Sequence, residues 1–305
     1  MKLYKDFDIS RNHKKSIILI GNFDGVHLGH QKLFKIANKY KKKFQLSIGV
    51  ITFEPMPKMY FDNKIKNFRI SSISQKKKIL KSLGVDFLIT KKFSENFSKI
   101  KSTFFIKEIL FKKLEAKYIF VSNNFRFGNK REGDVKQLVK NEKIYDYKIV
   151  KPQPLILNNK FISSTYIRYL LEKGNLKIAN KALTRNWSIE GIVQKGRQQG
   201  KKIGFPTCNI DIGQYVIAMP GVYAVKVYRK NSKKPLKAIA NLGYRPTFNQ
   251  KKILLEVHIF NFSGNLYNKY LSVEFTKFIR KEKKFNNVNQ LRKQIQSDLK
   301  IAKKS

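Results

Sequence analysis

Acidic residues, cysteine and tryptophan are all scarce in this chain. Of its 305 residues only 20 are Asp or Glu, and there is one cysteine and one tryptophan. A single thiol, Cys208, rules out an intramolecular disulfide and a multi-cysteine metal site. No run reaches the ~18–20 uninterrupted apolar residues that a membrane helix needs, so no membrane is expected as a partner. The opening Met1-Lys2-Leu3-Tyr4-Lys5-Asp6 has no apolar core of a secretory leader, which points to a reducing, cytoplasmic compartment. What is present is ample core material: 42% of the residues are hydrophobic and 13% aromatic. Such a composition excludes a wholly disordered basic tail, and at ~150 residues per domain the length suggests two domains.

The 65 Lys and Arg outnumber the acids by 45 charges. Clustered cations would suggest a nucleic-acid surface. Here they are dispersed, in Lys41-Lys42-Lys43, Lys76-Lys77-Lys78, Lys112-Lys113, Lys233-Lys234, Lys283-Lys284 and Lys303-Lys304, mostly at polar positions of amphipathic patterns. The accompanying excess of Asn, Ile and Phe is what A/T-rich codon usage produces. No nucleic-acid partner is expected, although a diffuse positive field attracts any anionic substrate. Self-association is left open.

Along the chain, Ser16–Ile20 is a short apolar run ending at Gly21 and reads as a buried strand. A helical pattern follows over Leu28–Lys42. Then come Leu46–Phe53 as strand, Ser74–Leu83 as helix closed by Gly84, and Val85–Thr90 as strand. Thr103–Leu114 reads as helix, and Tyr118–Ser122 and about Lys148–Lys151 as strands. This alternation argues for βαβ units on a parallel sheet. Ser163-Ser164-Thr165 reads as an N-cap for a helix over Tyr166–Glu172 ended by Gly174, with a second short helix at Leu176–Leu183. From Trp187 to Phe278 the period changes to two, as in Val222–Tyr228 and Leu254–Phe260, which indicates an antiparallel barrel or sandwich. A last amphipathic helix covers Val288–Ala302, and the two regimes meet at Leu183–Trp187.

The most informative segment joins the first strand to the first helix: Gly21-Asn22-Phe23-Asp24-Gly25-Val26-His27-Leu28-Gly29-His30. In α/β sheets ligands bind beyond strand ends at such a junction. His27 and His30 are three apart and can share a helix face, where backbone N–H groups and the helix dipole favour phosphate. The pattern suits stabilisation of a pentacoordinate phosphoryl group without a covalent intermediate. A metal site is the rival, with only two histidine ligands in view, and a plain pair of capping histidines is the bland reading. Asp24 is placed either to orient His27 or to hold a metal.

With these residues in hand, the chain resembles the prokaryotic bifunctional riboflavin kinase/FMN adenylyltransferase (FAD synthetase) family, whose N-terminal domain is a His-x-Gly-His nucleotidyltransferase. The resemblance extends through Thr52-Phe53-Glu54-Pro55-Met56-Pro57, Val121–Gly128, Arg131-Glu132-Gly133-Asp134 and Ile162–Arg168, in order and over nearly the whole chain. It implies a Rossmann-like nucleotidyltransferase domain over residues 1–184, a parallel sheet with flanking helices. A β-barrel kinase domain with a terminal helix would follow over 185–305. The activities it implies are ATP-dependent phosphorylation of riboflavin to FMN in the kinase domain and adenylylation of FMN to FAD, with release of pyrophosphate, in the other.

For adenylyl transfer the resemblance assigns ATP to Gly21, Phe23, Asp24, His27, His30, Ser164, Thr165 and Arg168. Flavin falls to Asn123, Asn124, Phe125 and Arg126, where amides and aromatics follow a strand. Two positions depart from the family pattern: Met56 stands where a histidine is usual, and Ser122 where glycine is. A thioether donates no hydrogen bond, so a kinase with weakened or lost adenylyl transfer is the alternative reading.

The second segment, Gly191 to Asn209, is rich in glycine and cations, and such a loop presents N–H groups to phosphate. Alone it is also compatible with a flexible hairpin; its Gly-Phe-Pro-Thr-Cys-Asn resembles the kinase Pro-Thr-x-Asn motif. The resemblance assigns kinase ATP to Gly196, Gly200, Lys201, Gly204, Thr207 and Asn209. Thr207 and Asn209, facing one way on an extended segment, offer neutral oxygens to Mg²⁺, and Cys208 faces away. Glu256, an acid in the apolar strand Leu254–His258, matches the catalytic glutamate that acts on the ribityl hydroxyl. Asn241–Phe248 and Leu266–Asn268 match further family segments; Asn268 stands for a usual glycine in a turn that needs positive φ. Arg280 and Glu282 are assigned to flavin.

Overall fold

The computed structural model describes every residue except 158, 197–199, 201–202, 231, 233, 247–250 and 305, and leaves aside the side chains of 245–246 and 251–252. Residues 1–66 and 73–162 form one compact unit, and residues 67–72 with 163–305 form a second.

The first unit is built on six parallel strands: β1 (Lys2–Tyr4), β2 (Ile17–Ile20), β3 (Ile48–Glu54), β4 (Phe87–Lys92), β5 (Tyr118–Phe120) and β6 (Lys148–Val150). Their order is β1-β4-β3-β2-β5-β6. The inner strands read as continuous apolar runs because both faces are covered. Ile17 and Leu19 of β2 pack with Phe34 and Ala37 of helix α1 (Leu28–Phe44) and Leu80 of helix α2 (Ile73–Ser82). Ile18 and Ile20 pack on the other face with Phe105, Ile109, Leu110 and Leu138. At ~1.5–3 kcal/mol for each such side chain removed from water, this double-sided burial holds the sheet flat against its helices.

From β2 the chain order runs outward in one direction through β3 and β4, then returns to the other side with β5 and β6. The strand order therefore reverses between β2 and β5, and the crevice at their carboxyl ends is where open α/β sheets take ligands. Gly21 follows β2 and Ser122–Asn124 follow β5, so two of the segments singled out in the sequence emerge there side by side. The edge strand β1 has no counterpart in the apolar pattern, because an edge with only one neighbour, here Phe87–Ile89, needs no long apolar run. The Thr103–Leu114 helix is realised as Ser102–Phe104 continuing into a π-helical stretch over Phe105–Lys113.

In the second unit, helices α3 (Ser164–Glu172) and α4 (Leu176–Leu183) precede six antiparallel strands. These are β7 (Ser188–Gln194), β8 (Cys208–Asp211), β9 (Gly221–Arg229), β10 (Leu236–Pro246), β11 (Lys251–Ile259) and β12 (Tyr270–Lys281). They close as a barrel in the order β7-β8-β11-β10-β9-β12, so of barrel and sandwich the structure takes the barrel. Closure leaves no unpaired strand edge. Phe275 packs between Trp187, tilted against it at 4.7 Å, and Tyr223, edge-on at 4.9 Å, all three buried.

Helix α3 starts at Ser164 rather than Tyr166, since Ser163 is the N-cap and its hydroxyl accepts from the Tyr166 N–H at 3.1 Å. α4 is tied to the barrel by Asn180, whose Nδ2 donates to the Phe275 carbonyl at 3.0 Å while its Oδ1 accepts from the Trp187 N–H at 2.8 Å. The terminal helix α5 (Val288–Lys303) lays Ala302 against Val222, Ala224 and Ile239. Among the described residues no helix is long and apolar enough to cross a membrane.

Candidate active sites

The loop after β2 is forced into an uncommon backbone. Phe23, Gly25 and Val26 all have positive φ (46°, 76° and 39°), and Asp24, Gly25 and Val26 are buried. His27, 5% exposed, is the N-cap of α1: its Nδ1 accepts from the His30 N–H at 3.3 Å. That bond places the proton of the neutral imidazole on Nε2. The cap occupies Nδ1 and leaves the N–H on the other ring nitrogen.

The two rings stack at 3.6 Å with 19° between planes, and Phe23 meets His30 edge-on at 5.1 Å. His30 is held well below the ordinary imidazole range, first by burial and then by His27 and Lys76, so it is neutral at pH 7. Its Nδ1 and the Oδ1 of Asn22 are buried without hydrogen-bond partners among the described residues. The space Gly29 leaves is taken by the His27 ring itself, 3.2 Å from where a Cβ would stand.

Gly21 donates its N–H to the Ile51 carbonyl at 3.1 Å, which seats the start of the loop on β3. Asn123 and Asn124 are exposed, with the Asn124 Oδ1 accepting from Ser122 at 3.0 Å. Phe125 stacks on Phe127 at 5.5 Å, and Arg126 pairs in register with Asp134. Ser164, Thr165 and Arg168 belong to the second unit, in the first two turns of α3. The Arg168 Nε donates to the Phe68 carbonyl at 2.7 Å and its guanidinium lies 3.5 Å over the Phe68 ring.

In the barrel, register brings together what the sequence keeps far apart. Asn209 of β8 is opposite Glu256 of β11, and Glu256 is opposite Asn241 of β10. The neighbouring row, Ile210–Leu255–Leu242, is buried, so the Asn209–Glu256–Asn241 row lies on the other face of the same three strands. Asn209 is 7% exposed and its Oδ1 has no hydrogen-bond partner among the described residues. Gly196 makes room for it: a Cβ at 196 would sit 1.7 Å from the Asn209 Nδ2. Gly200 is similarly cramped, 2.4 Å from the Phe205 carbonyl oxygen, and Gly204 holds φ at 88°. Lys201 lies outside the described residues, as do Thr247 and Phe248.

Glu282 extends its Oε1 to within 3.5 Å of the Asn241 Nδ2, over Gly243, where a Cβ would meet that oxygen at 2.0 Å. Arg280 is committed elsewhere: its Nε and Nη2 grip Asp298 of α5 at 2.7–3.0 Å and its Nη1 donates to the Lys281 carbonyl. Asn268 takes φ 60°, the positive value its turn needs. Cys208 is half-buried, with burial pushing its thiol up, which suits packing.

Three residues escaped the sequence reading. Lys76 is buried beneath the β2 loop, but in sequence it is one lysine of a triplet. His258, two residues from Glu256, donates from Nδ1 to the Pro206 carbonyl at 2.8 Å and anchors the loop before Thr207. Asp298 reads as a surface acid on a lysine-rich helix, yet it is 2% exposed.

A family model described as FAD synthetase matches residues 9–166, and one described as riboflavin kinase matches residues 183–305. The bifunctional riboflavin kinase/FMN adenylyltransferase of Buchnera aphidicola subsp. Schizaphis graminum is 40% identical over 308 residues, covering 100% of this chain and 98% of the relative. The Escherichia coli K12 protein of the same description is 36% identical over 282 residues, covering 92% and 90%. A crystal structure described as a macrolide-efflux protein of Streptococcus pneumoniae superposes with a TM-score of 0.86 at 30% identity, covering 99% of this chain and 98% of that one.

Proposed function

The chain belongs to the bifunctional riboflavin kinase/FMN adenylyltransferase family, and from that premise we propose how its residues divide the two activities. It phosphorylates riboflavin to FMN with ATP and adenylylates FMN to FAD. The observation that carries the division is that two phosphate-handling sets lie on two separate compact units, the stacked His27–His30 pair on the parallel sheet and the Asn209–Glu256–Asn241 row on the barrel.

For adenylyl transfer, His27 donates from Nε2 while its Nδ1 is spent on the helix cap. The neutral His30 contributes its unpartnered ring nitrogen in a site that needs no reorganisation as charge builds on the α-phosphoryl group. The α1 N-terminus adds its dipole to the same anion. Asn123, Asn124, Phe125 and Arg126 at the end of β5 offer amides, a ring face and a cation to FMN. Ser164, Thr165 and Arg168, which the resemblance also assigns to ATP, belong to the second unit.

For phosphorylation, Glu256 takes the proton of the ribityl hydroxyl, a role usually worth ~10²–10⁴ in rate. Gly196, Gly200 and Gly204 leave room on the nucleotide side, and Lys201 is assigned to the nucleotide by the resemblance alone. Glu282 reaches over Asn241 toward the flavin, with Arg280 fixing the end of its strand. The buried Asn209 Oδ1, without a hydrogen-bond partner among the described residues, and the Thr207 hydroxyl would hold the Mg²⁺ that arrives with ATP, two neutral oxygens suited to a hard cation. When bound, that ion offsets phosphate charge; the residues fix where it sits.

The alternative of a kinase with weakened adenylyl transfer, raised by Met56, finds no support in relatives that carry both activities in their descriptions. Met56 is 1% exposed and caps the short helix Pro57–Phe61, so its side chain serves as packing. The test is a product assay: purified protein with riboflavin and Mg·ATP yields FMN and FAD. Glu256→Gln stops FMN formation while FMN-to-FAD conversion persists. Absence of FMN from the unmodified enzyme, or loss of both activities in a folded Glu256→Gln protein, overturns the division.

A further inference from the structure

Lys76 is a lysine that the mechanism above does not use and that the fold goes to some cost to bury. It projects from α2 under the β2 loop and is 3% exposed, and a buried ammonium is retained only where the fold supplies it with partners. Its Nζ donates to the Asn22 carbonyl at 2.9 Å and to the Thr52 hydroxyl at 3.3 Å, and that hydroxyl donates to the same carbonyl at 3.3 Å. Asn22 thus receives a charge-assisted bond immediately before the Phe23, Gly25 and Val26 positive-φ series.

Non-glycine residues in that region are strained and persist only where the surroundings over-determine them. Phe23 and Val26 are two such residues, and the loop they shape delivers His27 and His30. The Thr52 hydroxyl and the Lys76 ammonium converge on the one carbonyl at which the chain leaves β2 for this strained path.

We propose that Lys76 is a positioning residue for adenylyl transfer: through the Asn22 carbonyl it locks the Gly21–Asp24 loop in the conformation that sets His27 and His30 against the phosphates. This rests on the assignment of the histidine pair to that reaction. Lys76 acts at one remove from the nucleotide, so its loss lowers turnover more than it weakens ATP binding. Misplacement of a reacting group by about 1 Å costs on the order of 10²-fold.

The experiment measures FMN-to-FAD kcat and the KM for ATP in Lys76→Met, Lys76→Arg, His30→Ala and the Lys76→Met/His30→Ala pair, with riboflavin phosphorylation in the same samples reporting the fold. Expected is a fall in kcat of about 10–100-fold for Lys76→Met with KM for ATP within about threefold, and partial recovery in Lys76→Arg, which keeps the charge and the donor. In the His30→Ala background Lys76→Met costs little more, because the two act on one element. Wild-type kcat in folded Lys76→Met, or full additivity with His30→Ala, overturns the proposal. If Lys76→Met does not fold, Lys76→Gln replaces it, and equal kcat in the Gln and Arg variants is the overturning result. Undiminished FAD formation by His30→Ala refutes the histidine assignment itself, and the proposal that rests on it is overturned with it.

Discussion

Replacing Gly196 by alanine adds one methyl group and tests the kinase site directly. The backbone at 196 is not in the left-handed region, so the substitution carries no conformational penalty of its own. Its cost is steric: the new Cβ would stand 1.7 Å from the Asn209 Nδ2, while real Cβ contacts are essentially never under 3.0 Å. The carboxamide therefore has to retreat by about 1.3 Å, the difference of those two distances. Asn209 is 7% exposed and paired in register with Gln194 and Glu256, so the backbone holds its Cα and the amide alone swings away. That amide carries the oxygen assigned to the Mg²⁺ of the incoming nucleotide. A displacement of about 1 Å in a reacting constellation costs on the order of 10²-fold, about 2.7 kcal/mol in the barrier.

The assay is riboflavin-to-FMN conversion under saturating Mg·ATP, with FMN-to-FAD conversion measured on the same preparation. The expected result is a kinase kcat down by about 10²-fold and adenylyl transfer unchanged. A Gly196→Ala enzyme with wild-type kinase turnover would refute the reasoning, since it would mean that the Asn209 amide can leave its place without consequence.

Other expectations follow from the same geometry. Asp298→Ala leaves the Arg280 guanidinium, 15% exposed, without its buried carboxylate; breaking such a pair costs ~3–5 kcal/mol, or roughly 6–20 °C in the melting of a unit this size. Calorimetry checks it, and a melting point within about 2 °C of wild type contradicts it. His30 has a folded-state pKa below its unfolded value, so its contribution is whole above the unfolded value near pH 6.5. Below that the unfolded chain takes up a proton that the folded one refuses. Stability then falls by up to ~1.4 kcal/mol per pH unit until the folded value is reached. Melting curves from pH 7.5 to 5 are accordingly steeper for wild type than for His30→Asn, and identical slopes refute the assignment. Met56→His puts a polar ring at a 1% exposed position, which lowers stability by about 1–3 kcal/mol without speeding FAD formation. A faster enzyme would revive the family's histidine as a missing donor.

The alternation of apolar runs and helical periods, followed by period-two segments, was enough to establish a parallel α/β unit and an antiparallel one, because each period reports which faces of an element are buried. Spacing also placed His27 and His30 on one helix start, and Glu256 stood out as an acid in an apolar strand. Three-dimensional pairing decided the rest. Barrel rather than sandwich depended on β7 closing against β12, a pairing between strands some eighty residues apart that no local pattern encodes.

The row Asn209–Glu256–Asn241 exists only through strand register, where a slip of one residue would turn each side chain to the opposite face. Lys76 and Asp298 look like solvated charges in one dimension, since their neighbours in sequence are lysines and polar residues. Each is buried because a distant carbonyl or guanidinium meets it there. Local chemistry thus names the elements and the candidate side chains, and long-range packing alone determines which charges lose their water and what they then hold in place.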